Sequence, residues 1–259
     1  MFEARLKSCS TFKKVFSYLQ GLMDDLKISI SPTGVIFSSI DSTNTLLVQL
    51  SIRREEFETF ELDDSLNLWI KAVKFEKTLP LLGDQDDITL KIPAGAEKLT
   101  ILSKSEGGKR KFNFEYQFDE EPEEDFQSPE IAYKNILSFS SSFFKENICE
   151  MSNLADKLII SVDEQQARLQ FDHNGNFGTI NLAINSAKYL EEDEDLTHNR
   201  TTYQGEIVTS LMYDIRHVKE TTRVANLATR VVLKMEEDLP LLVEYQCDEY
   251  GTLQFFLAP

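Results

Sequence analysis

The chain has 259 residues, 41% hydrophobic and 27% charged, a balance that suits a globular protein with two cores of ordinary size. Its 27 lysines and arginines against 44 aspartates and glutamates leave a formal charge of −17, which argues against a molecule that holds nucleic acid by net attraction. No apolar run of about 18 residues is present, so no membrane span is expected.

In chain order, residues 8–22 read as an amphipathic helix. Phe12, Val15, Phe16 and Leu19 fall at i, i+3, i+4 and i+7, with Lys13, Lys14, Ser17 and Gln20 off that stripe. Alternating segments at 27–30, 34–39, 46–52 and 56–62 read as strands, with Pro32-Thr33-Gly34 a turn. A short helix is expected over 71–82, with Val73, Phe75 and Leu79 inward and Lys71, Lys74 and Lys77 elsewhere. Strands follow at 87–92, 98–104 and 110–118. Phe112, Phe114, Tyr116 and Phe118 share one face of the last, and Gly107-Gly108 marks the hairpin before it. Residues 119–130 (DEEPEEDFQSPE) then hold seven acids, two prolines and a single aromatic, Phe126, and read as a linker.

The second half repeats the plan. A helix is expected over 141–152 with Phe144, Ile148 and Met151 inward, then strands at 157–162, 167–171, 178–185 and 205–208, with an acidic loop (EEDED) at 191–195. A helix over 210–222 places Leu211, Ile215 and Val218 on one stripe and Arg216, Lys219 and Arg223 on another. Strands at 230–235, 241–247 and 252–257 finish the chain. The class is α+β, four short helices against many antiparallel strands.

The two halves are related in register. Phe12–Ser29 laid over Phe144–Ser161, 132 residues on, matches at seven of eighteen positions: Phe12/Phe144, Lys13/Lys145, Leu22/Leu154, Asp24/Asp156, Leu26/Leu158, Ile28/Ile160 and Ser29/Ser161. A period this long indicates two copies of one domain rather than a solenoid. The boundaries follow: a first domain at 1–118, a linker at 119–133 and a second domain at 134–259.

The charges have a pattern of their own. Every expected helix carries lysine or arginine off its apolar stripe, whereas the acid concentrates in loops and the linker. Either these are four solvated faces, or they share one basic surface on an acidic molecule. Catalytic chemistry is not evident. His173, His198 and His217 are isolated, and no phosphate loop, nucleophile elbow or zinc signature occurs, so neither an enzyme nor a cofactor is expected. The opening MFEARLKSCS lacks the apolar stretch of a signal peptide, and Cys9, Cys149 and Cys247 suit free thiols in a reducing compartment. Trp69 reads as a core residue, and Phe126, an aromatic amid seven acids, reads as docked.

Several segments resemble the proliferating cell nuclear antigen family, the eukaryotic and archaeal DNA sliding clamps. They are MFEARL with Phe12-Lys13-Lys14, Asp41-Ser42 leading into Leu47-Val48-Gln49-Leu50, Asp86 before Ile88-Thr89-Leu90, and Asp156 with Ile159-Ile160-Ser161. Pro240-Leu241-Leu242-Val243-Glu244-Tyr245 and the ending Leu253-Gln254-Phe255-Phe256-Leu257-Ala258-Pro259 complete them.

The resemblance implies a processivity factor without catalytic activity: a homotrimeric, pseudo-sixfold ring around duplex DNA, with helices lining the hole and antiparallel sheets outside. The pore residues it implies are Lys13, Lys14, Lys77, Lys145, Arg216 and Lys219. Subunit contacts fall on Arg110, Phe112 and Phe114 of one copy and Phe177, Ile180 and Leu182 of the next. Ile40, Asn44, Leu47, Phe126, Pro240, Phe256 and Ala258 form a groove for short peptide motifs of DNA polymerase, clamp loader, nucleases and ligase. The place of work implied is the nucleus, if the source is eukaryotic.

Departures temper this. Glu146 and Cys149 stand where the family usually has basic residues, Gln20 and Pro80 replace lysines, and Glu164 replaces a lysine that is modified in many relatives. Thr45 and Ser128 make the groove more polar. Two alternatives stay open: a subunit of a heterotrimeric clamp, archaeal or of the checkpoint type, and an acidic peptide-binding scaffold that never encircles DNA.

Overall fold

A computed structural model describes residues 1–6, 9–122, 132–162, 166–172, 179–185, 187–188, 202–204, 208–247 and 251–258. The chain divides into two compact units, 1–128 with 247–253, and 129–246 with 254–259.

In the first unit, β1 (Phe2–Leu6) and α1 (Ser10–Leu19) are followed by β2 (Asp25–Ser31), β3 (Gly34–Ile40), β4 (Leu46–Arg53), β5 (Phe57–Leu62) and β6 (Leu66–Lys71). Then come α2 (Ala72–Thr78), β7 (Asp87–Ile92), β8 (Lys98–Lys104) and β9 (Lys111–Gln117). One sheet runs β5–β1–β7–β8–β9 and the other β6–β2–β3–β4, with every pairing between these strands antiparallel. At the β3–β4 hairpin a Cβ on Gly34 would lie 2.1 Å from the Ile52 carbonyl oxygen, so only glycine fits there.

The apolar stripe of α1 explains how both sheets share a core. Phe12, Val15, Phe16 and Leu19 are all buried. Phe16 meets Phe75 of α2 at 4.8 Å and Phe37 of β3 at 5.3 Å, and Phe75 meets Tyr116 of β9 at 5.5 Å. This aromatic cluster joins both helices to a strand of each sheet. Trp69 is buried as expected, with the Lys27 ammonium 5.3 Å from its ring centre.

The second unit contains β10 (Asn135–Ser140), α3 (Ser141–Met151), β11 (Lys157–Val162), β12 (Gln166–Asp172), β13 (Thr179–Asn185), β14 (Ala187–Lys188), β15 (Thr202–Gln204) and β16 (Val208–Asp214). It continues with α4 (Ile215–Thr221), β17 (Arg230–Met235), β18 (Leu241–Gln246) and β19 (Thr252–Leu257). The strand orders β15–β10–β17–β18–β19 and β16–β11–β12–β13 reproduce those of the first unit. Equivalent bonds start the second helix of each: the Ala72 amide donates to the Asp24 carbonyl and the Ile215 amide to the Asp156 carbonyl, both at 3.0 Å. The duplication read from the sequence is therefore a duplication of architecture, α+β in both halves. Here the core is largely aliphatic, with Ile148, Ile160, Val218, Val231 and Leu233 buried and Phe139 5.5 Å from Phe144.

Three expectations are corrected. Residues 210–214 are strand, not helix: β16 pairs with β11, and Asp214 ends it by capping α4, its side chain accepting from the Arg216 amide at 2.8 Å. Val73 is 50% exposed rather than inward, because α2 begins at Ala72 and its buried stripe runs through Ala72, Phe75 and Leu79. The expected helix over 71–82 also stops early, since Pro80 has no amide to donate and the chain tightens into a 3-10 turn over Leu79–Leu81. Among the described residues no helix is long and apolar enough to cross a membrane.

Candidate functional site

The basic residues sit where their helices place them, but few stand alone. On α1, the Lys13 ammonium donates to the Leu82 carbonyl at 2.7 Å and to Asp84 at 3.0 Å, while Lys14, one residue on, is exposed. Around α2, Lys71 pairs with Asp25 and Lys74 with Asp119, leaving Lys77 exposed in the last turn. The Asp25 hydrogen bond raises the Lys71 pKa.

In the second unit, Lys145 on α3 reaches Asn226 at 3.4 Å. Arg216, at the start of α4, forms an ion pair with Asp214 at 2.6 Å, and that hydrogen bond holds the Asp214 carboxyl below its ordinary pKa. Lys219 lies half-buried in the last turn of the same helix. Sequence reasoning missed the acids that meet these cations. Asp84 and Asp119 lie 71 and 45 positions from their lysines, a pairing that no local pattern announces.

Of the residues assigned to subunit contact, Phe112, Phe114, Ile180 and Leu182 lie on strands that end their sheets, and Arg110 directly precedes one of them. β9 closes one side of the first unit's five-stranded sheet and β13 closes the four-stranded sheet of the second. On β9, Phe112 and Phe114 are half-buried with rings stacked at 5.5 Å, and the Arg110 guanidinium lies 5.8 Å from the centre of the Phe112 ring. On β13, Ile180 is 37% exposed and Leu182 half-buried. Phe177 lies outside the described residues.

The residues assigned to peptide capture fall in both units. In the first, Ile40 and Leu47 face each other across β3–β4. Asp41 shapes the turn between them by accepting from the Thr45 and Leu46 amides at 2.8 and 2.7 Å, with Asn44 in a left-handed conformation. In the second unit, the Pro240 carbonyl accepts from the Tyr133 hydroxyl at 2.8 Å, Phe256 is buried and Ala258 is exposed. Burial pushes the Tyr133 phenol up to about 12, so it stays a donor at neutral pH. Phe126 lies outside the described residues, as does Glu164.

A doubled α+β unit, basic residues on its helices and strands that end their sheets among the described residues are the attributes of a DNA sliding clamp. Comparison with protein families agrees: the model of the proliferating cell nuclear antigen N-terminal domain matches residues 1–122, and that of its C-terminal domain matches 127–259. The chain belongs to the proliferating cell nuclear antigen family, whose members are non-enzymatic sliding clamps that support processive DNA replication and repair.

Proposed function

We propose that three copies of the chain close head to tail into a pseudo-sixfold ring that encircles duplex DNA and recruits replication and repair proteins. The observation that carries this reading is the pair of terminal strands, β9 in one unit and β13 in the other, each with apolar side chains its own sheet leaves partly uncovered. Such edges invite pairing with another chain, and a head-to-tail contact that closes after a few copies leaves none exposed. The β9 edge, with Arg110, Phe112 and Phe114, meets the β13 edge, with Phe177, Ile180 and Leu182, of the next copy.

A ring of three carries three times −17, so net attraction cannot hold it on DNA. Enclosure retains it, and helix lysines that no acid holds among the described residues supply weak, sequence-independent contacts with phosphates that permit sliding. Acid elsewhere repels the duplex over roughly 8 Å at physiological salt. Ile40, Asn44, Leu47, Phe126, Pro240, Phe256 and Ala258 form the groove in which partners seat a short helical turn with apolar plugs. Those partners are the polymerase, the clamp loader, nucleases and ligase; in a eukaryotic cell the ring works in the nucleus.

Light scattering after size exclusion, over a dilution series, tests the assembly. A species of about 89 kDa, three times 29.7 kDa, is expected. A persistent 29.7 kDa monomer overturns self-closure and favours a chain that needs other subunits.

A further inference from the structure

Nine cations on α1–α4 or within two residues of their ends divide by what their side chains already hold. Lys13, Lys71, Lys74, Arg216 and Arg223 are each in an ion pair, with Asp84, Asp25, Asp119, Asp214 and Glu220. Lys145 has only the neutral amide oxygen of Asn226 at 3.4 Å. Lys14, Lys77 and Lys219 make no side-chain hydrogen bond or ion pair among the described residues.

Lys13 is the sharpest member of the first set. Its side chain is 26% exposed, and its ammonium has two oxygen acceptors, at 2.7 and 3.0 Å. Both belong to the turn between α2 and β7, and that turn is itself fixed. Asp86, 4% exposed, accepts from the Gly83 amide at 2.9 Å and the Ser103 hydroxyl at 2.8 Å. A Cβ on Gly83 would lie 2.5 Å from an Asp86 carboxylate oxygen, so the turn is closely packed around that bond. To reach a phosphate, Lys13 must abandon a part-buried carbonyl and a carboxylate, whereas Lys14, Lys77 and Lys219, with no side-chain partner among the described residues, shed only water and counterions.

We infer that phosphate binding in the proposed ring is carried by Lys14, Lys77 and Lys219, and that Lys13 is a positioning residue that ties α1 to the turn before β7. This rests on the clamp reading above. It separates two adjacent lysines that the family resemblance treats alike, and gives one the duplex and the other the scaffold.

The test measures two quantities on the full-length chain and its variants: Tm, and the slope of log K against log[KCl] for binding a short labelled duplex. Lys14→Gln, Lys77→Gln and Lys219→Gln should each reduce the slope, by up to about 0.9 for each phosphate that the removed charge neutralised, and leave Tm unchanged. Lys13→Gln should leave the slope intact and lower Tm by a few degrees. In an Asp84→Asn background, the same Lys13→Gln change should move Tm by much less, because the partner is already gone.

The proposal is overturned if Lys13→Gln cuts the slope as Lys14→Gln does without moving Tm. It is equally overturned if the Lys13 effect on Tm is undiminished in the Asp84→Asn background. A wild-type chain whose binding shows no salt slope sinks the clamp reading and this proposal together; a slope carried by Lys13 alone sinks only the proposal.

Discussion

The two units run the same strand order through different side chains. Around Phe16 the first unit packs aromatic rings 4.8–6.4 Å apart, drawn from both helices and both sheets. At the equivalent place the second unit has Ile148, packed in a largely aliphatic core. The helix surfaces diverge as well: α1 and α2 carry Lys13, Lys14, Lys74 and Lys77 with Glu76, whereas α3 and α4 carry Lys145, Arg216 and Lys219 with Glu146, Glu150 and Glu220. Their helix starts differ too, since α4 is capped by its own Asp214 while Lys71, at the start of α2, donates its amide to the distant Asp119. What the copies share is the spacing of buried positions, and that is enough to keep the fold. Charge and capping have been free to change, so any contact with DNA is expected to be unequal between the copies.

The largest effect should come from the cores. Phe16→Ala is expected to cost about 3–5 kcal/mol, since it empties the centre of the ring cluster. Ile148→Val, at the matching place, should cost about 0.5–1.5 kcal/mol. Urea denaturation followed by the lone Trp69, which lies buried in the first unit, reads the first change directly, and circular dichroism reads both. Equal losses from the two variants would dissolve the contrast between the cores.

Next in size is the cap. Asp214→Ala should cost about 1 kcal/mol, the usual worth of an N-cap side chain. The Asp214 pKa is lowered in the fold, chiefly by the Arg216 hydrogen bond, so its contribution is present above the ordinary carboxylate value of about 3.9 and fades as pH falls through the lowered one. A pH titration of Tm should therefore show wild type and variant converging in acid; a constant gap down to the lowest pH would remove Asp214 ionisation from the account.

Smallest is a difference in reactivity. Cys9 is buried, and that burial pushes its thiol up to about 12, so the nucleophilic thiolate is scarce at neutral pH. Cys149, half-buried on α3, should alkylate ahead of Cys9 and Cys247 in the folded chain, as peptide mass mapping would show. Labelling of Cys9 first would mean that α1 opens more readily than α3.

Where side chains repeat with a clean period, the sequence announces the element. β7, β8, β11, β17 and β19 begin and end where alternation places them. β1 escapes such a reading although Phe2, Ala4 and Leu6 alternate with Glu3 and Arg5, because five residues at a chain start give little to count. β6 and β10 are hidden by the helices that follow them directly. β16 imitates a helix because Leu211, Ile215 and Val218 fit a helical stripe, yet that stripe spans a strand end and a helix start. Of the site, the cations are legible by type and helix, but their acid partners are not. The chain brings Asp84 to Lys13 and Asp119 to Lys74 only by folding.

Asp119 bears on how the molecule would carry a load. Its amide donates to the Trp69 carbonyl at 2.8 Å, its carboxylate accepts from the Lys71 amide at 2.8 Å, and Lys74 closes on the same group. Tension applied to the chain beyond this point therefore reaches β6 and the first turn of α2 before it reaches β9. The terminal strand on which the proposed ring would join is shielded from being peeled away residue by residue, and traction on the connector is borne instead by β6 and the start of α2.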